Sequence, residues 1–174
     1  HGMNHVYQLL IPVVVPRISA EYELSNFTVG ILLGCFNLSY SLLQGLFGYL
    51  SGIFGRKNLL ILGFVVTSVS FLTIGFVDSI MVFALLLFLA GVGGSTYHPN
   101  GMPFLSEFYK ENRGQASGFH QTGGSLGSFI APLVIGALVS ALNWRSTVTA
   151  LSVPGIVLSI VLWLLLVEPK RQDK

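Results

Sequence analysis

Residues 24–55 read LSNFTVGILLGCFNLSYSLLQGLFGYLSGIFG, 32 positions without a single Asp, Glu, Lys or Arg, and the run stops at Arg56 and Lys57. A helix needs roughly 18–20 apolar residues to cross about 30 Å of hydrocarbon, so the stretch is read as a membrane span. The same reading repeats in both directions along the chain. Charge-free stretches cover 1–16, 58–77, 79–106, 114–144 and 146–167, which are 16, 20, 28, 31 and 22 residues long. Only the first falls short, and the sequence starts there at His1 with no initiator Met or flanking basic residues, so a truncated amino end is expected.

Composition excludes a water-soluble core. The chain is 52% hydrophobic and 9% charged, with mean hydropathy +0.74, against roughly 25% charged residues in soluble domains. The first segment is a span and not a signal peptide, because Pro12 and Pro16 interrupt it, no basic region precedes it and five further spans follow. A net charge of +2 points to no nucleic-acid partner, and the lone Cys35 has no intrachain disulfide partner. Walker loops, His-Glu-x-x-His pairs, Gly-x-Ser-x-Gly elbows and paired intramembrane carboxylates are all missing from the sequence, so no enzyme and no cofactor are expected.

Six helices are expected, at about 1–18, 27–51, 57–77, 80–104, 114–141 and 145–167, with 169–174 as the start of a cytoplasmic linker or tail. Short connections place alternate loops on alternate sides. Arg56, Lys57, Lys110, Arg113, Lys170, Arg171 and Lys174 then share one side, against Arg17 and Arg145 on the other. Cytoplasmic loops carry the excess of Lys and Arg, so both termini are expected in the cytoplasm of a multi-pass protein of the plasma (inner) membrane. Gly30 and Gly34, Gly48 and Gly52, Gly114 and Gly118, and Gly123, Gly127 and Ala131 repeat every four residues. Small residues let helix backbones approach closely in lipid, so the fifth helix is expected to be a central packing helix.

Three motifs carry a resemblance. Gly48-Tyr-Leu-Ser-Gly-Ile-Phe-Gly-Arg-Lys57 resembles the loop signature of the major facilitator transporters, Gly-x-Leu-x-Asp-Arg-x-Gly-Arg-Lys, matching at Gly48, Leu50, Gly55, Arg56 and Lys57. Gly127-Ser-Phe-Ile-Ala-Pro-Leu-Val-Ile-Gly136 is similar to that family's Gly/Pro-rich antiporter motif, with Ala131 in place of the usual Gly before Pro132. Asn143-Trp-Arg145 is a common start of the sixth helix in the family. Together with Gly93-Gly-Ser-Thr-Tyr-His-Pro-Asn100, the chain looks most like the amino-terminal six-helix half of the fosmidomycin-resistance-like branch.

The resemblance implies an all-α bundle of two inverted three-helix repeats, half of a twelve-helix transporter. It implies alternating access, with Gly48, Gly55, Arg56, Lys57, Gly127, Pro132 and Gly136 in the conformational motifs. There are departures. Gly52 and Ile53 replace the loop's Asp and Arg, leaving Arg56 and Lys57 to meet Glu107 or Glu111; Leu87 stands where the fourth helix usually carries Arg; and His5 stands where the related first helix often carries Asp.

Polar groups at membrane depth are expensive and usually face a cavity or a partner. They are His5, His98 and His120, with His1 at the uncertain end; Asn4 and Gln8 lie near His5, Tyr97 and Asn100 near His98, and Gln121 and Thr122 near His120. His1, His5 and Gln8 fall on one side of a helix. One reading is that these histidines bind an anionic or polar substrate or carry a proton near neutral pH; the other is that each is neutral and fixes packing. Pro99 favours function at His98, because it removes a backbone donor and frees carbonyls. Asn37, Ser41 and Gln44 either contact substrate or bridge helices. Pro12, Pro16, Pro103, Pro132 and Pro154 are expected as kinks, and Trp144 with Arg145 as an interfacial anchor.

The expected function is secondary transport of a small polar or anionic solute or drug by alternating access, with efflux coupled to protons. The substrate-or-proton path is expected at His5, Gln8, Asn37, His98, Asn100, His120 and Gln121. Expected partners are the small-molecule substrate, the bilayer, and a missing carboxyl-terminal half or a second copy of the chain. The alternatives are a non-transporting scaffold or receptor-like half-protein, or a metal enzyme in which His5, His98 and His120 converge as in a zinc centre.

Overall fold

The computed structural model describes residues 1–168; the expected tail at 169–174 lies outside the described residues. Among the described residues eight helices follow one another: α1 (Gly2–Glu21), α2 (Asn26–Leu42), α3 (Gln44–Phe54), α4 (Arg56–Ile74), α5 (Ile80–Gly94), α6 (Tyr97–Phe108), α7 (Arg113–Ala141) and α8 (Trp144–Leu165). They group into six spans, because α2 and α3 are two halves bent by 47° at Leu43, and α5 with α6 makes one stretch, Ile80–Phe108. The spans α4, α5 with α6, α7 and α8 are each long and apolar enough to cross a bilayer, and the bent α2–α3 pair makes a fifth. α1 has the length, 20 residues, but Asn4, His5, Gln8 and Arg17 make it more polar.

The second span is therefore not one straight helix at 27–51. Ser39 Oγ, with one hydrogen to share, lies 2.9–3.0 Å from the carbonyl oxygens of Cys35, Phe36 and, on the neighbouring helix, Phe88. Hydroxyls that bond back to their own helix bend it, and Gly45 follows at once. In the fourth span the break falls at Ser95 and Thr96, whose hydroxyls donate to Val92 O (2.6 Å) and Gly93 O (2.9 Å). Pro99 then sits in the first turn of α6, where its missing N–H leaves no intrahelical bond unmade. The helices continue through Pro12, Pro16, Pro132 and Pro154.

Packing follows a two-fold plan: α1 lies along α7, α2 along α5, and α4 against both α5 and α8. Exchanging spans one, two and three with four, five and six converts the α1–α7 pairing into the α5–α2 pairing and returns α4–α8 to itself. Three spans per repeat reverse the direction of the chain, so the repeats are inverted. α1 supplies Tyr7, Leu10, Ile11, Val14 and Ile18 to the core at helical spacing, and Phe71, Ile74, Ile135 and Val148 belong to the same core. At the α4–α5 crossing a Cβ on Gly93 would lie 2.7 Å from both Gly63 O and Thr67 N, so only glycine allows this approach.

Charged groups gather at the two ends. At one, Arg56 pairs with Glu107, and the Glu168 carboxylate accepts from the backbone N–H groups of Arg56 and Lys57, both at 2.8 Å. At the other, Arg145 donates to Val77 O (2.7 Å), Tyr22 Oη (2.6 Å), Asp78 (2.8 Å) and Glu21 (3.2 Å), and lies over the Trp144 ring at 4.5 Å. Trp144 is buried and donates to Glu21 at 2.6 Å. The expected interfacial anchor is instead a latch joining three loops, because its indole and guanidinium share one carboxylate.

The fifth span packs along α1 through Gly124, Gly127 and Ala131, as its small-residue row leads one to expect, but its other faces are open in the described bundle. α7 buries Ala116, Gly124, Ala131 and Ile135, while Phe119, Leu126, Phe129 and Leu133 are exposed. A Cβ on Gly30, Gly34, Gly114 or Gly118 would meet nothing within 4 Å, so these small-residue rows face outward from the described bundle.

Candidate functional site

Histidines from three spans meet where α1 starts against the middle of α7. The approach is close because both helices are bare there: a Cβ on Gly127 would lie 2.5 Å from Gly2 Cα and O, and one on Gly2 would lie 2.9 Å from Gly123 O. The His1 ring then lies directly on Gly124, where a Cβ would come within 2.5 Å of its Cε1 and Nδ1. His1 stacks on His120 (centroids 4.1 Å apart, 17° between planes), and Tyr97 stacks with both at 5.5 and 6.0 Å. His98 stands edge-on to His1 at 5.6 Å and to Tyr40 at 6.1 Å, and lies 6.1 Å from His5.

Two polar contacts order this stack. His1 Nδ1 is 2.8 Å from the His120 carbonyl oxygen, and His1 Nε2 is 3.0 Å from His5 Nε2. Beside them Tyr40 Oη accepts from Asn4 Nδ2 at 3.0 Å and from Gln8 Nε2, which fastens α1 to α2.

An open cavity of about 540 Å³ borders the stack, lined by His1, His5, Gln121, Gly124, Ser125, Ser128 and Phe129. Gln121, Ser125 and Ser128 are four and three residues apart, so α7 presents one polar face to it. The lining contains no carboxylate, lysine or arginine. It offers amide, hydroxyl and imidazole groups, chemistry suited to hydrogen-bonding a solute and to holding a proton. Among the described residues no group of three His, Cys, Asp or Glu could hold a metal ion. The rings meet as a stack in which the His1 nitrogens face His5 Nε2 and the His120 carbonyl.

Of the residues singled out in the sequence, His5, His98, His120 and Gln121 come together, and Gln8 joins them through Tyr40. Asn37 is exposed, lies outside the histidine stack, and donates one amide hydrogen to Leu33 O at 2.9 Å on its own helix. Asn100 is fully buried; its Nδ2 donates to Thr96 O at 2.7 Å and its Oδ1 has no partner, so it supports the α5–α6 break and does not line the open cavity. Gly48 packs on Pro99, where a Cβ on the glycine would lie 3.4 Å from Pro99 Cβ, and Gly127 touches Gly2. Pro132 is exposed, and a Cβ on Gly136 would meet nothing within 4 Å. Sequence reasoning missed Tyr40, Tyr97, Gly124, Ser125 and Ser128 as site residues. The spacing of Gln121, Ser125 and Ser128 was a usable signal, while Gly124 had none because its role is the space it leaves.

The family model described as Major Facilitator Superfamily matches residues 5–174. The probable sulfoacetate transporter of Cupriavidus necator is 28% identical over 81% of this chain and 33% of its own length. The fosmidomycin resistance protein of Escherichia coli is 26% identical over 80% of this chain and 34% of its own length. The chain thus spans about a third of these relatives. A bacterial homologue of the human lysosomal transporter Spinster, solved inward-facing and unoccupied, superposes with a TM-score of 0.82 at 22% identity, covering 99% of this chain and 42% of that one.

Proposed function

The chain belongs to the Major Facilitator Superfamily, a family of transporters and not of enzymes, and on that footing we propose that it is the amino-terminal half of a secondary transporter carrying a small polar or anionic solute by alternating access. The observation that carries this reading is the 540 Å³ cavity faced by His1, His5, Gln121, Ser125 and Ser128. A scaffold would spend all such groups on one another; here His1 and His5 bond to each other, while Gln121, Ser125 and Ser128 border open space between two spans. Imidazoles, amides and hydroxyls without a carboxylate favour an anion, and the likeness to a sulfoacetate transporter supports that class.

The opposite wall of the cavity belongs to a second six-helix bundle, either the carboxyl-terminal half of the same protein or a second copy. The outward small-residue rows at Gly30, Gly34, Gly114 and Gly118 fit such a neighbour. The end holding Arg56, Lys57, Glu107 and Glu168 is cytoplasmic by its excess of cations, in the plasma (inner) membrane. There the Arg56–Glu107 pair and the Glu168 cap stand in for the charge latch that Gly52 and Ile53 remove.

Coupling is to protons, since histidine is the side chain that titrates near neutral pH. Efflux in exchange for protons is the reading supported by the likeness to a resistance protein. Cotransport of anion and proton is a second reading, favoured by a cavity whose ionisable side chains, among the described residues, are the imidazoles of His1 and His5. Proteoliposomes holding the complete transporter separate them. Sulfoacetate uptake driven by an inward proton gradient supports cotransport, and fosmidomycin extrusion in exchange for protons supports efflux. If a proton gradient moves neither solute through folded protein, the transporter reading fails and the scaffold stands.

A further inference from the structure

The hydrogen bonds of the His1–His5 pair order its neutral tautomers. A carbonyl oxygen only accepts, so the 2.8 Å contact to His120 O requires His1 Nδ1 to carry its hydrogen. A neutral imidazole protonated at Nδ1 has a lone pair at Nε2. The 3.0 Å contact between His1 Nε2 and His5 Nε2 therefore has one possible direction, in which His5 Nε2–H donates and His1 Nε2 accepts. The free lone pair of the pair is then at His5 Nδ1. A proton added there makes His5 an imidazolium that keeps its bond to His1. A proton added to His1 Nε2 would set two N–H groups against each other across 3.0 Å.

We propose that His5 both carries the coupling proton and binds the substrate anion, with His1 as the positioning residue that holds its tautomer through the His120 carbonyl. The inference rests on the anion-site reading above and deepens its cotransport form. In the empty site the stack is neutral. One proton from the solution adds to His5 Nδ1, the cation forms at the cavity wall, and the anion neutralises it; the proton leaves to the opposite solution when the anion leaves. The groups near His5 are His1 and Gln8 on its own helix, His98 from α6 and His120 from α7, with Gln121, Ser125 and Ser128 lining the same cavity. None is a carboxylate that would hold the cation without substrate, so proton and anion favour each other's binding by linkage.

Two measurements on the complete transporter test this. Nitrogen-15 NMR of the histidines, with no ligand present, is expected to show His1 as the Nδ1–H tautomer and His5 as the Nε2–H tautomer at alkaline pH, with His5 protonating first. The reverse tautomers, or protonation of His98 or His120 before His5, overturn the proposal. Sulfoacetate titrated in weak buffer with a pH indicator is expected to take up about one proton per anion, with the Kd rising about tenfold per pH unit above the His5 midpoint. His5→Gln keeps a donor for His1 but takes no proton, so binding weakens and its pH slope disappears. Gly124→Ala displaces the His1 ring and is expected to shift the midpoint while leaving a slope. A slope and proton uptake that survive in His5→Gln overturn the proposal while the anion site stands; absence of sulfoacetate, fosmidomycin and nitrate binding at any pH removes the anion-site reading and this inference with it.

Discussion

The Tyr7 hydroxyl lies in the space left open by Gly155. It is hydrogen-bonded to Ser68 Oγ at 2.8 Å and donates to Ser152 O at 3.2 Å, and a Cβ on Gly155 would overlap it. One buried hydroxyl therefore ties α1 to α4 and α8, at a point where water has no access to replace it.

Tyr7→Phe is expected to lower stability by about 1–2 kcal/mol, since it leaves Ser68 without its buried partner. Gly155→Ala should cost about 1–3 kcal/mol by overpacking. The double substitution is expected to cost less than the sum, because removing the hydroxyl relieves part of the overlap. Thermal unfolding in detergent reads all three, and strict additivity would show that the two residues do not share this space.

Gly55 and Glu168 form a second dependent pair. Gly55 has φ +83°, and its missing Cβ leaves room for the Glu168 carboxylate, whose carbon and Oε1 would lie 3.0 Å from it. Gly55→Ala is expected to cost about 2–3 kcal/mol, combining left-handed strain with a displaced cap. Glu168→Gln removes only the charge at the start of α4 and should cost about 1 kcal/mol, falling with added salt. An alanine at Gly55 that unfolds at the parent temperature would refute the pairing.

Arg145→Lys tests the latch at the other end. A lysine ammonium has no planar fork to reach Val77 O, Tyr22, Asp78 and Glu21 together or to lie flat on Trp144, so a loss of about 2 kcal/mol is expected. Arg56→Gln at the opposite end breaks a pair whose side chains are 30% and 40% exposed, so less than about 1 kcal/mol is expected. Chemical denaturation in mild detergent ranks the two, and an equal loss at both ends would mean the latch adds nothing beyond a surface ion pair.

Alanine at Gly30, Gly34, Gly114 or Gly118 meets nothing within the bundle. Each is expected to leave the six-helix half as stable as before, or up to about 1 kcal/mol more stable through helix propensity. On the proposal that a second bundle covers these rows, the same changes should weaken its assembly with this one, read by crosslinking or by gel filtration in detergent. Loss of stability in the half alone would place these rows inside it.

The membrane architecture is legible in the sequence because its signal is local. Charge-free runs of 20 or more residues, the short loops between them and the Gly-Arg-Lys turn at residues 55–57 each report on one stretch of chain. The sequence leaves Arg56 a choice of Glu107 or Glu111, and the structure pairs it with Glu107. The breaks at Leu43 and Ser95 are not legible in the same way, because Ser39 bends α2 partly through a bond to Phe88, 49 residues away. Polarity marks Asn37 and Asn100 alike, and only the structure separates an exposed Asn37 from a fully buried Asn100, each donating to a carbonyl four residues back.

By itself the sequence determined that this chain is built to cross a membrane and where its charged turns fall, because partitioning into hydrocarbon depends on the composition of each segment. Only the tertiary structure decided that His1, His5, His98 and His120 come together and that Gly124 and Gly127 make room for them. Those facts depend on how closely α1 approaches α7 and how far each ring turns, and packing between segments more than a hundred residues apart sets both.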